Sequence, residues 1–191
     1  TSEVIDLRDI GVPQTRKRLV MIAAKDRAHD IHSLMHAYKT EVRDVRWAMD
    51  DLQDEVANSI VTTPSTPSRD NKGRIDYLFD QELSDLPDEM RPPCHRDKKH
   101  SYKSIYGRLR WDEPSQTITS GFYSMCMGRY VHPSRRRTLT AHEAARLQFF
   151  PDYFSFEAAE KRTALAQIIG NAVPPKLSFV FGHYLITQLI K

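Results

Sequence analysis

Arg137-Thr138-Leu139-Thr140-Ala141-His142-Glu143-Ala144-Ala145-Arg146-Leu147-Gln148 is the longest of three stretches whose order decides how this chain is interpreted. It predicts a helix after Thr140, because Thr140 and Glu143 have the spacing of a capping box. Pro151 is expected to end that helix. Gly11-Val12-Pro13-Gln14-Thr15-Arg16-Lys17-Arg18 comes before this stretch, and Gly170-Asn171-Ala172-Val173-Pro174-Pro175 comes after it.

Apolar runs around these stretches predict an α/β fold. Residues 19–24 form a short apolar run bounded by charges, which favours a buried strand, and Val4-Ile5 is expected to end another strand. Residues 42–52 predict a helix with a partly apolar face. Residues 175–189 have apolar side chains at i, i+3, i+4 and i+7 spacing, which predicts an amphipathic helix that needs a surface to cover.

The middle of the chain differs in composition. Residues 56–74 are rich in Thr, Ser and Pro, which favours a linker or mobile region. Residues 114–123 mix β-branched and aromatic side chains with glycine, which predicts a strand and turn in a small β-containing module. We therefore divide the chain into residues 1–55, residues 56–139 and residues 140–191.

Composition excludes several classes of protein. The chain has 191 residues, 40% of them hydrophobic and 28% charged, which indicates a folded protein. No apolar run approaches the roughly 20 residues of a membrane helix, so no membrane association is expected. Two cysteines do not make a disulfide framework, and residues 1–6 lack a secretory signal, so a cytoplasmic location is expected.

Positive charge is concentrated locally although the net charge is only +3. Residues 91–110 contain seven Lys or Arg against one acid, Asp97, and residues 135–137 are three arginines. Such clusters can neutralise nucleic-acid phosphates. A solvated basic loop would have the same composition, and the three ordered stretches favour the nucleic-acid interpretation.

Together, the three stretches resemble the eighth, ninth and tenth motifs of the DNA (cytosine-5)-methyltransferases. The resemblance covers nearly the whole chain and is strongest at both ends. It implies the end of a nucleotide-binding-type methyltransferase sheet, a small β-containing target-recognition domain, and closing helices. It also implies S-adenosylmethionine as cofactor, double-stranded DNA as partner, and a bacterial or phage restriction-modification setting. The first seven motifs would lie in an N-terminal half, on missing residues or on a separate chain.

Gln14, Arg16 and Arg18 are the candidate catalytic residues. If a strand starts near Arg16, period-two geometry places Arg16 and Arg18 on the same side of the chain. The resemblance implies that Arg18 donates to the carbonyl oxygen O2 of a flipped cytosine, while Arg16 supports the pocket or a backbone phosphate. Considered alone, these cations would also fit a solvated strand entrance.

The nucleophile and the glycine turn of the family are absent from this sequence. The family uses cysteine in a Pro-Cys-Gln setting, whereas Cys94 is followed by His95 and lies downstream of Arg18. Cys126 is expected to pack, and no metal site is expected from Cys94, His95 and His100. No pair of glycines has G-x-G spacing, so the cofactor would be only partly bound here.

The resemblance implies further binding residues. Asn171, Ala172 and Val173 would contact the amino-acid end of the cofactor. Thr119 is the first candidate for a phosphate contact; the other DNA-binding candidates are Thr117, Arg108, Arg110, Lys98, Lys99 and Lys103. Arg137 and Glu143 are expected to organise the small domain. His142 stands where the family usually has arginine.

Two alternatives to a working part of a methyltransferase remain open at this point. One is a DNA-binding or regulatory relic that kept the fold and lost catalysis. The other is an RNA- or DNA-binding module unrelated to methylation.

Overall fold

A computed structural model describes residues 1–25, 28–97 and 104–189, with side chains described as far as Thr187. Three of the predicted DNA-binding residues, Lys98, Lys99 and Lys103, lie outside the described residues, as does His100.

The N-terminal part is an antiparallel hairpin. Strand β1 (Ser2–Asp6) pairs with β3 (Lys17–Met21), with Val4 opposite Leu19. A 3-10 turn follows β1 and ends at Gly11, whose φ of 79° lies in the left-handed region that favours glycine.

The described part of the chain covers only one face of this hairpin. Ile5 is 5% exposed, whereas Val4, Leu19 and Met21 are 62%, 65% and 71% exposed. The prediction that residues 19–24 form a buried strand is therefore wrong for the face that carries Leu19 and Met21. The strand exists, but no described element packs on that side of it.

Helix α1 (Ile31–Ala37) and helix α7 (Pro175–Leu189) cover the inner face of the hairpin. Leu177 and Val180 are buried there, against β1 and α1. The amphipathic pattern of α7 predicts a helix that needs a surface to cover, and this chain itself supplies much of that surface. None of the described helices is long and apolar enough to cross a membrane.

A second core lies between α2 (Val45–Met49), α5 (Ala141–Leu147) and α6 (Arg162–Asn171). The capping box predicted at Thr140 and Glu143 is confirmed, with both of its hydrogen bonds present. Helix α2 begins later than predicted, because Asp44 caps it by accepting from Trp47 N.

Helix α5 ends before Pro151. Phe149 has φ of 71°, and the amides of Phe149 and Phe150 donate back to the carbonyls of Arg146 and Ala145 at 2.9 Å each. These are the two bonds of a Schellman ending, in which a left-handed residue follows the helix. The backbone hydrogen bonds, rather than the proline, stop α5.

A third core includes side chains of α3 (Arg69–Asp80). Helix α4 (Pro93–Arg96) follows α3 in the chain. Ser68 caps α3 by accepting from Asn71 N. The predicted linker over residues 56–74 is therefore wrong at its end, because residues 69–74 are helical. Residues 56–68 are turns and irregular structure, as their composition indicates.

The predicted strand over residues 114–123 is reduced to β4 (Ser115–Gln116), which pairs in parallel with β2 (Gln14–Thr15). Isolated bridges join Val131 to Arg108 and Thr138. The small module thus contains much less β-structure than predicted. In much of residues 114–123, side-chain hydrogen bonds take the place of the expected strand pairing.

Candidate active site and DNA interface

A buried pair of glutamines joins the stretch at residues 11–18 to the stretch at residues 137–148. Gln14 Nε2 donates to Gln148 Oε1 at 2.6 Å and to the Leu147 carbonyl at 3.0 Å, while Gln14 Oε1 accepts from Ile118 N at 3.2 Å. Both glutamine side chains are fully buried. Gln14 therefore has a positioning role in this arrangement, and its amide faces the protein interior.

Gln148 extends the connection to the third stretch. Its Nε2 donates to the Ile169 carbonyl at 2.6 Å, one residue before Gly170. At Gly170 the end of α6 approaches the loop around Ser120 so closely that an added Cβ would lie 2.1 Å from Ser120 N. The three stretches, far apart in sequence, thus meet at residues 118–120.

Arg16 makes the same connection from the other side. Its Nη1 donates to the Ile118 carbonyl at 3.0 Å and its Nη2 to the Ala172 carbonyl at 3.1 Å. Burial, helped by the nearby charge of Arg18, lowers the pKa of Arg16 to about 10. Arg16 is 4% exposed, and its Nε has no hydrogen-bond partner among the described residues. Its two Nη groups bind backbone carbonyls and are not directed to solvent.

Arg18 differs from Arg16 because most of its donors are uncommitted. Within the described part of the chain its guanidinium donates only to the Lys17 carbonyl, at 2.6 Å. It lines a cleft of about 380 Å³ between β3 and the start of α7, together with Val173, Pro174 and Leu177. The geometry leaves Arg18 able to donate to a ligand in this cleft.

The three predicted cofactor residues lie beside the cleft. Asn171 is the last residue of α6 and is exposed, and Val173 is 60% exposed and lines the cleft. Ala172 lies between them, with its carbonyl accepting from Arg16. The structure therefore brings Arg18 and the Asn171–Val173 segment to one place.

The two predicted DNA-binding threonines are linked through Tyr130. Tyr130 OH donates to the Thr117 carbonyl and hydrogen-bonds Thr119 Oγ1, both at 2.9 Å. Thr117 Oγ1 donates to the Thr15 carbonyl at 2.8 Å. Thr119 is exposed, but to donate to a phosphate oxygen its hydroxyl must leave Tyr130, because phosphate oxygens only accept.

Arg108 and Arg110 have different surroundings. Arg110 pairs with Glu113 at 2.7 Å and with Asp85 at 3.9 Å. Arg108 lies 4.6 Å above the ring of Phe79, makes no ion pair with any described residue, and has a pKa lowered by burial. Of these two arginines, Arg108 has the charge that is free to approach a phosphate.

Acidic side chains neutralise much of the basic region. Arg96 pairs with Asp97 at 2.8 Å, and Arg136 pairs with Asp76 at 3.3 Å and Asp80 at 2.6 Å. Counting charges only within residues 91–110 and 135–137 therefore overstates the positive charge available to DNA. Such a count misses Asp76 and Asp80, which lie in α3, outside both ranges.

Arg137 and Glu143 organise the small module by a bidentate ion pair, with distances of 2.7 and 2.8 Å. Glu143 is 1% exposed; burial raises its pKa, but the bond from Arg137 and other contacts leave the pKa lowered overall. His132 lies 3.4 Å from Glu143, and burial lowers its pKa to about 4. Its Nδ1 accepts from the amides of Ser134 and Arg135, which fixes a neutral ring.

His142, which departs from the family pattern, still makes ionic contacts. Its Nδ1 contacts Glu55 Oε1 and its Nε2 lies 3.1 Å from Asp152 Oδ1. Burial lowers its pKa, but the bonds to these two carboxylates leave the pKa raised overall. The histidine therefore links α5 to the segment after α2 and to the loop after α5.

The two cysteines have different surroundings. No cluster of three or more His, Cys, Asp or Glu able to hold a metal ion occurs among the described residues. Cys94 is exposed, and Cys126 is half-buried with Asn71 Nδ2 3.3 Å from its sulfur.

Comparison with solved structures shows the class of fold. The chain matches a structure described as the S. pombe Dnmt2 methyltransferase with a TM-score of 0.60 and 14% sequence identity, over 100% of this chain and 57% of that one. At this identity the likeness shows the fold alone, which is a mixed α/β methyltransferase fold. The predicted fold class is confirmed at that level.

The sequence comparisons show the family. The profile of the C-5 cytosine-specific DNA methylases matches residues 1–186, and the chain belongs to this family. It is 46% identical over 179 residues to the Type II methyltransferase M1.BsuMI of Bacillus subtilis, and 33% identical over 197 residues to the Type II methylase M.HgiDII of Herpetosiphon aurantiacus. Each match covers 94% of this chain but only 42% and 53% of the relatives, so the chain spans about half their length.

Proposed function

We propose that this chain supplies target recognition and part of the active site of a DNA cytosine-5 methyltransferase of a restriction-modification system. The reaction would transfer a methyl group from S-adenosylmethionine to C5 of a flipped cytosine in double-stranded DNA. The observation that carries the proposal is the uncommitted guanidinium of Arg18, which lies at the cleft beside Asn171 and Val173.

Arg18 would donate a hydrogen bond to O2 of the cytosine. Attack by a nucleophile at C6 develops negative charge on the ring, and a donor fixed at O2 stabilises that charge. Arg16 would act indirectly, since its own donors hold the carbonyls of Ile118 and Ala172. Gln14 likewise positions β2 through Gln148.

S-adenosylmethionine supplies the methyl group when it is bound. The chemistry of this segment fits part of such a site, because the exposed amide of Asn171 can both donate to a carboxylate and accept from an ammonium group. Val173 offers an apolar surface, and the backbone of Ala172 is fixed by Arg16. The remaining contacts would come from residues outside this chain.

Thr119, Thr117, Arg108 and Arg110 would contact the DNA backbone, as would Lys98, Lys99 and Lys103. Of Arg108 and Arg110, Arg108 would contribute more, because the charge of Arg110 is shared with Glu113 and Asp85. Such contacts fix the position of the duplex, and base-edge contacts from the same region would choose the target.

The N-terminal half of the methyltransferase would supply the nucleophile and the glycine turn. Neither a Pro-Cys-Gln setting nor a G-x-G pair occurs in this sequence. The exposed apolar face of the hairpin, with Val4, Leu19 and Met21, would pack on that half. Burying large apolar side chains such as these is worth roughly 1.5–3 kcal/mol each.

The competing candidate is a DNA-binding relic of the family without catalysis. The two are separated by measuring transfer of labelled methyl groups to DNA, with this chain alone and with an N-terminal half that contains Pro-Cys-Gln. We expect transfer only in the mixture. No transfer in the mixture, despite DNA binding, would favour the relic.

Arg18→Ala in the reconstituted enzyme tests the site itself. Removing one preorganised donor is expected to lower the rate on the order of 10²-fold, with a smaller effect on DNA affinity. Lys17→Ala is the matched control, because Lys17 is exposed and its side chain points to the opposite side of β3. Equal effects of the two substitutions would place Arg18 outside the pocket.

A further inference from the structure

A second cavity, of about 490 Å³, lies away from the Arg18 cleft, between the segment after α2 and the loop after α5. Residues 59–62 line one side and residues 150–157 line the other. We refer to this cavity as the aromatic groove. Its volume falls within the range of ordinary binding pockets, and the proposed methylation site does not use it.

Aromatic side chains dominate one wall of the aromatic groove. The rings of Phe150, Phe154 and Phe156 pack together with centroids 5.0 to 5.4 Å apart. Phe154 is 44% exposed, and the adjacent Tyr153 is 89% exposed. Large aromatic side chains left in water mark surfaces that other molecules cover.

Negative charge surrounds this aromatic wall. Glu55, Asp152 and Glu157 line the groove, and among the described residues its only basic lining side chain is His142, which contacts two of them. Arg146, just outside, is shared between Asp152 and Asp51. Glu157 makes no ion pair with the residues that the structure describes. The carboxylates outnumber the bases even when His142 is protonated, so the groove attracts a cation and repels DNA phosphates.

We infer that the aromatic groove docks a segment of a partner protein in which an arginine is flanked by apolar side chains. A guanidinium group stacks on aromatic faces and pairs with carboxylates, and both features are present here. Apolar neighbours of that arginine would cover Tyr153 and Phe154. A small free cation would leave these two rings in water.

Capped peptides test the proposal by NMR titration of the 15N-labelled protein. The probe is acetyl-Leu-Arg-Leu-amide, and its shape-matched neutral control contains citrulline in place of arginine. We expect the arginine peptide to shift the amide signals of residues 59–62 and 153–157, and to bind at least about fivefold more tightly than the citrulline peptide. Equal binding of both peptides would overturn the proposal.

Three variants locate the binding. Phe154→Ala should weaken the arginine peptide about three- to tenfold through loss of the aromatic face, and Glu157→Gln about two- to fivefold through loss of charge. Phe179→Ala removes a comparably exposed ring, 57% exposed on α7, and should change nothing. An unchanged affinity in both Phe154→Ala and Glu157→Gln would overturn the assignment.

Two other occupants have their own signatures. Agmatine, a free guanidinium compound, should bind more weakly than the peptide; equal affinity would mean a small-molecule site and would overturn protein docking. Self-association of the protein that disappears in Phe154→Ala would make the occupant a second copy of this chain, which would also overturn it.

Discussion

Replacing Gly170 by alanine should destabilise the protein, although alanine is the better helix former. Gly170 is helical, within α6, so no unusual backbone angle requires glycine there. The reason is space. An added Cβ would lie 2.1 Å from Ser120 N and 2.3 Å from the Thr119 carbonyl carbon, both backbone atoms.

Neither side of this contact can retreat easily. Relieving the overlap needs a shift of more than about 1 Å to reach ordinary van der Waals distance. The loop is held because Ile118 bonds both Gln14 and Arg16, and the end of α6 is held because Gln148 donates to the Ile169 carbonyl. Overpacking of a fixed site costs about 3 kcal/mol, and the gain in helix propensity returns about 1.

The net expectation is a loss of about 2 kcal/mol, or a fall in the thermal midpoint of about 4–8 °C for a chain of this length. Gly73→Ala is the matched control, because Gly73 lies exposed within α3 with no atom within 4 Å of its added Cβ. It should raise the midpoint by about 2–4 °C. Thermal unfolding followed by circular dichroism decides the matter. If Gly170→Ala is as stable as Gly73→Ala, the close approach to residues 119–120 does not exist.

Three further outcomes follow from the contacts. Gln148→Leu removes one hydrogen bond from the Ile169 carbonyl, which keeps Ala172 N, and one from the amide of Gln14, which keeps the Leu147 carbonyl. It should cost about 1–3 kcal/mol in urea unfolding, whereas a cost below about 0.5 kcal/mol would remove Gln148 from the connection. His132 is neutral in the folded protein and protonates more readily when unfolded, so its protonation should lower the free energy of unfolding by up to about 3 kcal/mol as the pH falls from about 6.5 to about 4. The urea midpoint of His132→Asn should therefore depend less on pH over this range than that of the parent protein. An unchanged pH dependence would contradict the assignment. In the reconstituted enzyme Arg108→Ala should lower the salt slope of DNA binding by about 1, while Arg110→Ala should change it much less, and equal slopes would contradict the pairing argument.

Local signals in the sequence predicted some of the fold correctly. Thr140 and Glu143 form the expected capping box because both partners lie within one helical turn. The strand over residues 114–123 was predicted from β-branched and aromatic residues, and only Ser115–Gln116 forms one. The hydroxyl of Tyr130 hydrogen-bonds this segment, from a position that no local pattern reveals.

The two arginines of the first stretch show where sequence reasoning about the site stops. Arg16 and Arg18 have the same side chain but different partners. Arg16 donates to the carbonyls of Ile118 and Ala172, whereas Arg18 remains able to bind a ligand. Every residue supplies a backbone carbonyl, so side-chain identity at 118 and 172 carries no signal for this choice. Burial decides it, since an arginine taken out of water must find acceptors, whereas an arginine at the cleft need not.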